Sequence, residues 1–191
     1  MTIRVYIDHN IWDFLYDHNI KIADYFPETE FTLAIAKHGR FELDQMPDDG
    51  ERALKKAFIF DSLISAVQEV HTFGFHDPRH SPEHQRSSGF GLGEFSCVTI
   101  NQERRRLNAI YGGKGRRKPS MILERQEADI ELGALSMEHY VLTLDKKRDP
   151  LKDSSDNGGK VIFLNELETV LGPTTLQTAA DKIRSIERSK S

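Results

Sequence analysis

The feature that most limits the fold of this chain is a repeated change from a short apolar segment to a longer segment of helical character. Apolar segments of strand length lie at 3–7, 31–35, 140–144 and 160–164. Their composition, together with the period-2 spacing at 31–35, predicts strands, and the apolar spacing elsewhere predicts helices over 51–70, 96–111, 120–137 and 174–191. Strands that alternate with helices favour a parallel sheet with right-handed crossovers. We therefore expect an α/β fold with three layers, α/β/α, around a mainly parallel central sheet.

The length and composition indicate an ordinary globular chain. With 191 residues, 38% apolar and 29% charged, it can build one good core. We expect one domain over residues 1–170, with a long loop at 71–95 and a polar loop at 146–157, followed by a helical tail at 171–191 with few apolar anchors. No apolar run approaches the roughly 18 to 20 residues of a membrane span, and no secretory signal is visible. The single cysteine, Cys97, suits a reducing compartment, so the expected location is the cytoplasm.

Acidic residues follow two of the predicted strands. Asp8 ends the first strand, with Asn10 two positions later, and Asp145 follows the strand at 140–144. Because the carboxyl ends of parallel strands meet at one edge of the sheet, we expect Asp8 and Asp145 to lie close together. The alternative for Asp8 or Asn10 is a purely local role as the cap of the first helix.

Further acids precede the strand at 140–144 or follow the strand at 31–35. On a helix running from Ser120, Glu127 shares a stripe with apolar residues and Asp129 points away from it, so Glu127 is the better placed of the two. Either acid can instead lie on a charged surface. Glu42 begins a helical piece after the second strand. Several carboxylates that converge without cysteine form a hard site that prefers Mg²⁺ or Mn²⁺ to zinc.

Positive charge is concentrated in one part of this acidic chain. Seven basic residues and no acid lie between Arg104 and Lys118, whereas the whole chain has a net charge of −4. Such a segment is either a solvated surface or a binding site for phosphates. The loop at 71–95 holds four histidines, but their spacing across prolines matches no compact zinc ligand set.

The same residues resemble the PIN-domain nucleases. Val5-Tyr6-Ile7-Asp8-His9-Asn10-Ile11-Trp12 is similar to the opening strand of that family, and the helix from Glu127 followed by Val141-Leu142-Thr143-Leu144-Asp145 is similar to its third-acid helix and closing Thr-x-Asp. Glu42 stands where the family usually has its second acid. Glu127 replaces the usual Asp, which leaves Asp129 as the other candidate. The resemblance implies a PIN-like fold and a metal-dependent endoribonuclease, often a homodimer and often the toxin that an antitoxin protein restrains.

Our leading hypothesis is hydrolysis of RNA phosphodiester bonds at a Mg²⁺ or Mn²⁺ site. The catalytic residues would be Asp8, Glu42, Glu127 and Asp145, and Asp129 would assist as a further metal ligand. Asn10 and Thr143 would orient the ligands. The expected RNA-binding residues are Arg104, Arg105, Lys114, Arg116, Arg117 and Lys118. Two alternatives remain: a PIN-like binding or regulatory module without catalysis, and a haloacid-dehalogenase-like phosphatase, which is weaker because no second Asp stands two residues after Asp8.

Overall fold

The computed structural model describes residues 2–115, 120–145, 149–168 and 170–190. The strands in these ranges are β1 (Ile3–Ile7), β2 (Phe31–Ala36), β3 (Val67–Thr72), β4 (Gly93–Glu94), β5 (Tyr140–Thr143) and β6 (Val161–Phe163). The α-helices are α1 (His9–Asp17), α2 (Lys37–Asp44), α3 (Gly50–Ala66), α4 (Val98–Tyr111), α5 (Glu127–Leu135), α6 (Pro150–Asp156) and α7 (Pro173–Arg188). The strands form one sheet in the order β4-β3-β2-β1-β5-β6, and all neighbours are parallel.

Helices cover both faces of this sheet. One apolar cluster joins α1, α3 and α7 to the face that carries Val5 and Ile7. A second cluster joins α4, α5 and α6 to the opposite face, which carries Tyr6 and Val141. Because each central strand is buried on both sides, its residues are apolar in succession rather than in alternation. The three-layer α/β/α fold predicted from the sequence is therefore confirmed.

The strand order places a crevice at the carboxyl ends of β1 and β5. From β1 the chain proceeds through β2, β3 and β4 on one side, and β5 and β6 then lie on the other side. Ligands of doubly wound sheets bind where the strand order reverses in this way. Asp8, directly after β1, and Asp145, two residues after β5, both lie at this crevice.

The predicted helix at 51–70 is too long. In the structure α3 ends at Ala66 and the chain continues as β3, paired with β2 from Leu33↔Val67 to Ala36↔Val70. The β-branched residues Val67, Val70 and Thr72 favour this strand. The spacing of Leu63, Ile64 and Val67 fits a helix as well, so the local pattern hides β3, and only its pairing with β2 decides the outcome.

Three other helices differ from their predictions. The helix expected from Ser120 begins only at Glu127. The predicted polar loop at 146–157 contains α6. Asp149 caps the first turn of α6, where its side chain accepts from the Lys152 N–H at 2.9 Å. The tail forms α7 and buries Leu176, Ala179, Ala180 and Ile183 in the main core. The prediction of few apolar anchors in this tail is wrong, because two of the anchors are alanines, whose small side chains give a weak apolar signal.

Among the described residues, no helix has both the length and the apolar character needed to cross a membrane.

Candidate carboxylate site

Four acids predicted from the sequence line one pocket at the crevice. Asp8, Glu42, Asp129 and Asp145 come from four separate parts of the chain and surround a cavity of about 180 Å³. The remaining lining residues are His9, Asn10, Met121, Leu123, Glu124, Arg125, Gln126 and Ala128. We call this cavity the carboxylate pocket. Its position at the switch between β1 and β5 agrees with the expectation that Asp8 and Asp145 meet at one edge.

A hydrogen-bond network joins the ends of β1 and β5 below this pocket. Thr143 Oγ1 donates to Asp8 Oδ2 at 2.6 Å, and Asn10 Nδ2 donates to the same oxygen at 2.7 Å. Asn10 Oδ1 accepts from the Leu144 N–H at 2.9 Å, and Thr143 Oγ1 accepts from the Asp145 N–H at 3.0 Å. The side chains of Asn10 and Thr143 thus link the Asp8 carboxylate to the backbone N–H groups of Leu144 and Asp145, and an orienting role toward metal ligands stays a prediction.

Asp8 caps a helix and also lines the pocket. Its Oδ1 accepts from the His9 N–H at 2.7 Å at the start of α1, so the capping role that the sequence offered as the alternative is confirmed. Burial, reinforced by the negative charge of Asp145, raises the pKa of Asp8 to about 6 although Thr143, His9 and Asn10 donate hydrogen bonds to it. A buried carboxylate whose ionised form is disfavoured in this way gains stability from a nearby cation.

Helix α2 brings Glu42 to the pocket. The helix begins directly after β2, and its Phe41 packs with Leu123 and Ala128, two residues that line the pocket. Glu42, the next residue, lines the cavity. The helical piece that the sequence predicted to begin at Glu42 begins five residues earlier, at Lys37, and Glu42 lies in its second turn.

The structure brings Asp129, not Glu127, to the other three acids. Glu127 lies outside the carboxylate pocket, on the other side of the start of α5, in a groove that it shares with Glu131. Arg86 binds the Glu127 carboxylate with both Nε and Nη2, at 2.6 and 3.0 Å. The ranking of Glu127 above Asp129 is therefore corrected. It assumed a helix from Ser120, but α5 starts at Glu127 and Leu123 is not part of it.

Glu127 and Glu131 each form a salt bridge with an arginine. Arg104 binds Glu131 with Nε and Nη2 at 2.7 and 2.9 Å, and Thr72 Oγ1 donates to the same carboxylate at 3.0 Å. Burial alone would raise the pKa values of Glu127 and Glu131. The charge and hydrogen bonds of Arg86 and Arg104 nevertheless lower both pKa values. We call these two acids and two arginines the arginine-paired cluster.

Arg86 is a neighbour of the pocket that no sequence motif indicated. Besides Glu127 it contacts the chain before α5, since its Nη2 donates to the Ile122 carbonyl at 2.8 Å. Glu127 Oε2 in turn accepts from the Glu124 N–H at 2.8 Å. Arg86 therefore holds the segment at 121–126, which forms one wall of the carboxylate pocket. The only available signal was its place in an unusually long loop.

The basic segment is divided in the structure. Arg104, expected to bind RNA, is occupied by Glu131, and this expectation is corrected for that residue. Arg105 and Lys114 are exposed, with Lys114 Nζ 5.2 Å from the centre of the Tyr111 ring. Arg116, Arg117 and Lys118 lie outside the described residues.

The four acids are not grouped as finished metal ligands. In the part of the chain that the structure describes, no three His, Cys, Asp or Glu side chains are already arranged to hold a metal ion. The donor chemistry nevertheless fits Mg²⁺ or Mn²⁺, because these ions prefer oxygen ligands. The pocket is lined by the four predicted acids, by Glu124 and by one arginine, Arg125. Ionised carboxylates that share a cavity repel one another, and a bound cation would reduce that repulsion.

Comparisons of the chain with protein-family models, with curated proteins and with solved structures find no match.

Proposed function

We propose that this protein hydrolyses RNA phosphodiester bonds with the help of Mg²⁺ or Mn²⁺ bound in the carboxylate pocket. The observation that supports the proposal is the meeting of Asp8, Glu42, Asp129 and Asp145 around one cavity at the switch point of the sheet. The resemblance of the sequence to PIN-domain nucleases supplies RNA as the substrate, and the homodimer and antitoxin partner stay predictions of that resemblance.

Each residue of the pocket has a task in this proposal. Asp8, Glu42, Asp129 and Asp145 would hold the ion, and the contacts of Asn10 and Thr143 keep the first and last of these acids in place. The bound ion would activate water and stabilise the charge that develops on the phosphate oxygens. Arg125, at the rim, would attract the phosphate, and Arg86 would keep the wall of the pocket in position from behind.

The test compares Asp8→Asn with Asp13→Asn in cleavage of a labelled single-stranded RNA at increasing Mn²⁺. Asp13 is a matched control because it lies on α1, outside the pocket, and pairs with Lys55 at 2.9 Å. Loss of a metal ligand removes several kcal/mol of transition-state stabilisation, so Asp8→Asn should cut the rate roughly a thousandfold or more. Asp13→Asn should cleave at the wild-type rate, and EDTA should abolish cleavage. Full activity of Asp8→Asn would refute the proposal.

One observation favours a second candidate, a binding module that hydrolyses nothing. Among the described residues, no acids are grouped as a finished metal site. A protein that keeps the fold but has lost catalysis would have the same arrangement. The same titration separates the two candidates. A binding module would retain RNA binding but show no Mn²⁺-dependent cleavage in the wild-type protein.

A further inference from the structure

A cluster of large apolar side chains lies open to solvent at the β4 end of the sheet. Phe75, Phe90, Leu92 and Phe95 are 75 to 81% exposed. Phe73 joins the three phenylalanines, with ring centroids 5.7, 4.7 and 4.4 Å from those of Phe75, Phe90 and Phe95. We call these five residues the phenylalanine surface. Contiguous exposed apolar surface of this kind marks an interaction site.

The backbone beneath the phenylalanine surface is tightly paired. The Phe73 N–H donates to the Glu94 carbonyl at 2.7 Å, and the Gly74 N–H donates to the Ser88 carbonyl at 3.1 Å. Gly93 is required here, since a Cβ atom would lie 2.6 Å from Phe73 Cα. The rings are therefore presented on a sheet edge that is already formed, which lowers the entropy lost when a ligand binds.

The groove beside these rings suits a ligand with negative charge. It has a volume of about 370 Å³, and Lys37 and His76 line it together with the rings. Among its described lining residues none is acidic. Lys37 Nζ donates to the Ser87 carbonyl at 3.2 Å, which holds the ammonium group at the groove. An apolar ring cluster next to a fixed cation is the combination that binds the bases and backbone of single-stranded nucleic acids.

Helix α2 connects this groove to the carboxylate pocket. Lys37, its first residue, lines the groove, and Glu42 lines the pocket. Five residues of helix advance about 7.5 Å. Phe41 lies between them, with its ring centre 5.9 Å from Lys37 Nζ, and packs against Leu123 of the pocket. The two sites are thus neighbours on the carboxyl edge of the sheet.

We propose that the phenylalanine surface binds unpaired bases of the nucleic acid whose backbone enters the carboxylate pocket. This inference rests on the proposed function and narrows its substrate to single-stranded segments. Rings accessible over most of their area can stack on bases, whereas the cation and the lack of described acids in the groove accommodate phosphates. The carboxylate pocket lies at the other end of the same stretch of α2 and would receive the backbone of the bound strand, a proximity that a protein partner would not need.

The experiment measures binding of a fluorescein-labelled single-stranded RNA by anisotropy in EDTA, so that no metal-dependent cleavage takes part. Phe90→Ala should weaken binding roughly tenfold, and Phe75→Ala with Phe90→Ala should weaken it further. Phe90→Trp should restore the wild-type Kd, and Phe90→Leu, which keeps an apolar side chain without a ring, should not. Ile64→Ala is the control, because Ile64 is 84% exposed on α3 and lies outside this surface. An oligonucleotide of the same length without bases should bind wild type and Phe90→Ala equally.

The outcomes separate this inference from the proposed function. Ring-dependent binding without any Mn²⁺-dependent cleavage would keep the surface and refute the nuclease. Cleavage with a Kd that Phe90→Ala leaves unchanged would refute the surface and keep the nuclease. A loss of self-association in Phe90→Ala, measured by sedimentation, together with unchanged RNA binding would assign the surface to a second copy of the chain and overturn the proposal.

Discussion

Two groups of acids lie on opposite sides of the start of α5, and their surroundings are opposite as well. In the arginine-paired cluster, Glu127 and Glu131 each bind a guanidinium through two hydrogen bonds. In the carboxylate pocket, five acids, Glu124 among them, share the lining with Arg125, and burial raises the pKa of Asp8 to about 6. Glu127 and Glu131 thus have guanidinium partners that support the fold, whereas the ionised form of Asp8 is disfavoured by burial beside Asp145 and would be favoured by a cation.

The largest expected effect concerns the exchange of roles between Asp129 and Glu127. Asp129→Asn should lower kcat for RNA cleavage about a thousandfold, roughly 4 kcal/mol, because it removes an oxygen ligand of the ion. Glu127→Gln should instead lower the free energy of unfolding, because Arg86 loses its counter-charge. Cleavage kinetics at saturating Mn²⁺ and urea unfolding measure the two effects. Unchanged stability with abolished cleavage in Glu127→Gln would return that residue to the site.

Next in size is the contribution of the arginine-paired cluster to stability. Glu131→Gln should reduce the free energy of unfolding by about 3 kcal/mol, since it leaves Arg104 without its buried partner. Glu28→Gln, at an exposed acid, is the control and should change it by less than about 0.5 kcal/mol. Urea denaturation followed by circular dichroism measures both variants. Equal stability of the two would mean that the ion bridge contributes nothing to the fold.

The two groups of acids should also respond to pH in opposite directions. The pKa of Asp8 is raised from 3.8 to about 6 on folding, so its contribution to stability is complete below pH 4 and is lost as the pH rises through 6. That loss is roughly 2 to 3 kcal/mol. The pKa of Glu131 is lowered from 4.5, so its contribution is present above that value and is lost as the pH falls. Unfolding free energies from pH 3 to 7, with Asp8→Asn and Glu131→Gln as references, should show the two opposite slopes.

A divalent cation should stabilise the folded protein by binding in the carboxylate pocket and not at the arginine-paired cluster. Mn²⁺ at a hundred times its Kd should stabilise wild type by about 2.7 kcal/mol. Glu131→Gln should keep this increment although it starts from a lower stability, whereas Asp8→Asn should lose it. Thermal unfolding with and without Mn²⁺ gives the comparison. An equal increment in Asp8→Asn would place the ion outside the carboxylate pocket.

The smallest effect separates neighbouring arginines. Arg105 is exposed, so Arg105→Gln should remove one phosphate contact and reduce the slope of log K against log salt for single-stranded RNA by about 0.7. Arg104→Gln should leave that slope unchanged, because its guanidinium is bound to Glu131. Anisotropy titrations at several salt concentrations measure both slopes. A slope that Arg104→Gln reduces and Arg105→Gln leaves unchanged would show that Arg104 leaves Glu131 to bind RNA.

Several local patterns were sufficient to predict their part of the molecule. The strands at 3–7, 31–35 and 140–144 are so apolar that a parallel sheet with covered faces was the expected result. The placement of Asp8 and Asp145 followed, because strand ends and the residues directly after them lie at one edge of such a sheet. Glu42 lies six residues beyond β2, and α2 carries it to the same pocket. The later acids were different. Helix α5 is buried almost all round, so its pattern has no polar face from which to tell Glu127 from Asp129.

The sequence by itself determined the layered α/β architecture and the edge of the sheet at which acids collect, because apolar periodicity and strand polarity are local properties of the chain. Only the tertiary structure decided which acids are neutralised and which face the pocket. That division depends on Arg86 and Arg104, which lie 41 and 27 residues from the acids they bind. Ion pairs over such separations are set by how the loop at 71–95 and α4 pack against α5, and no spacing within the sequence records that packing.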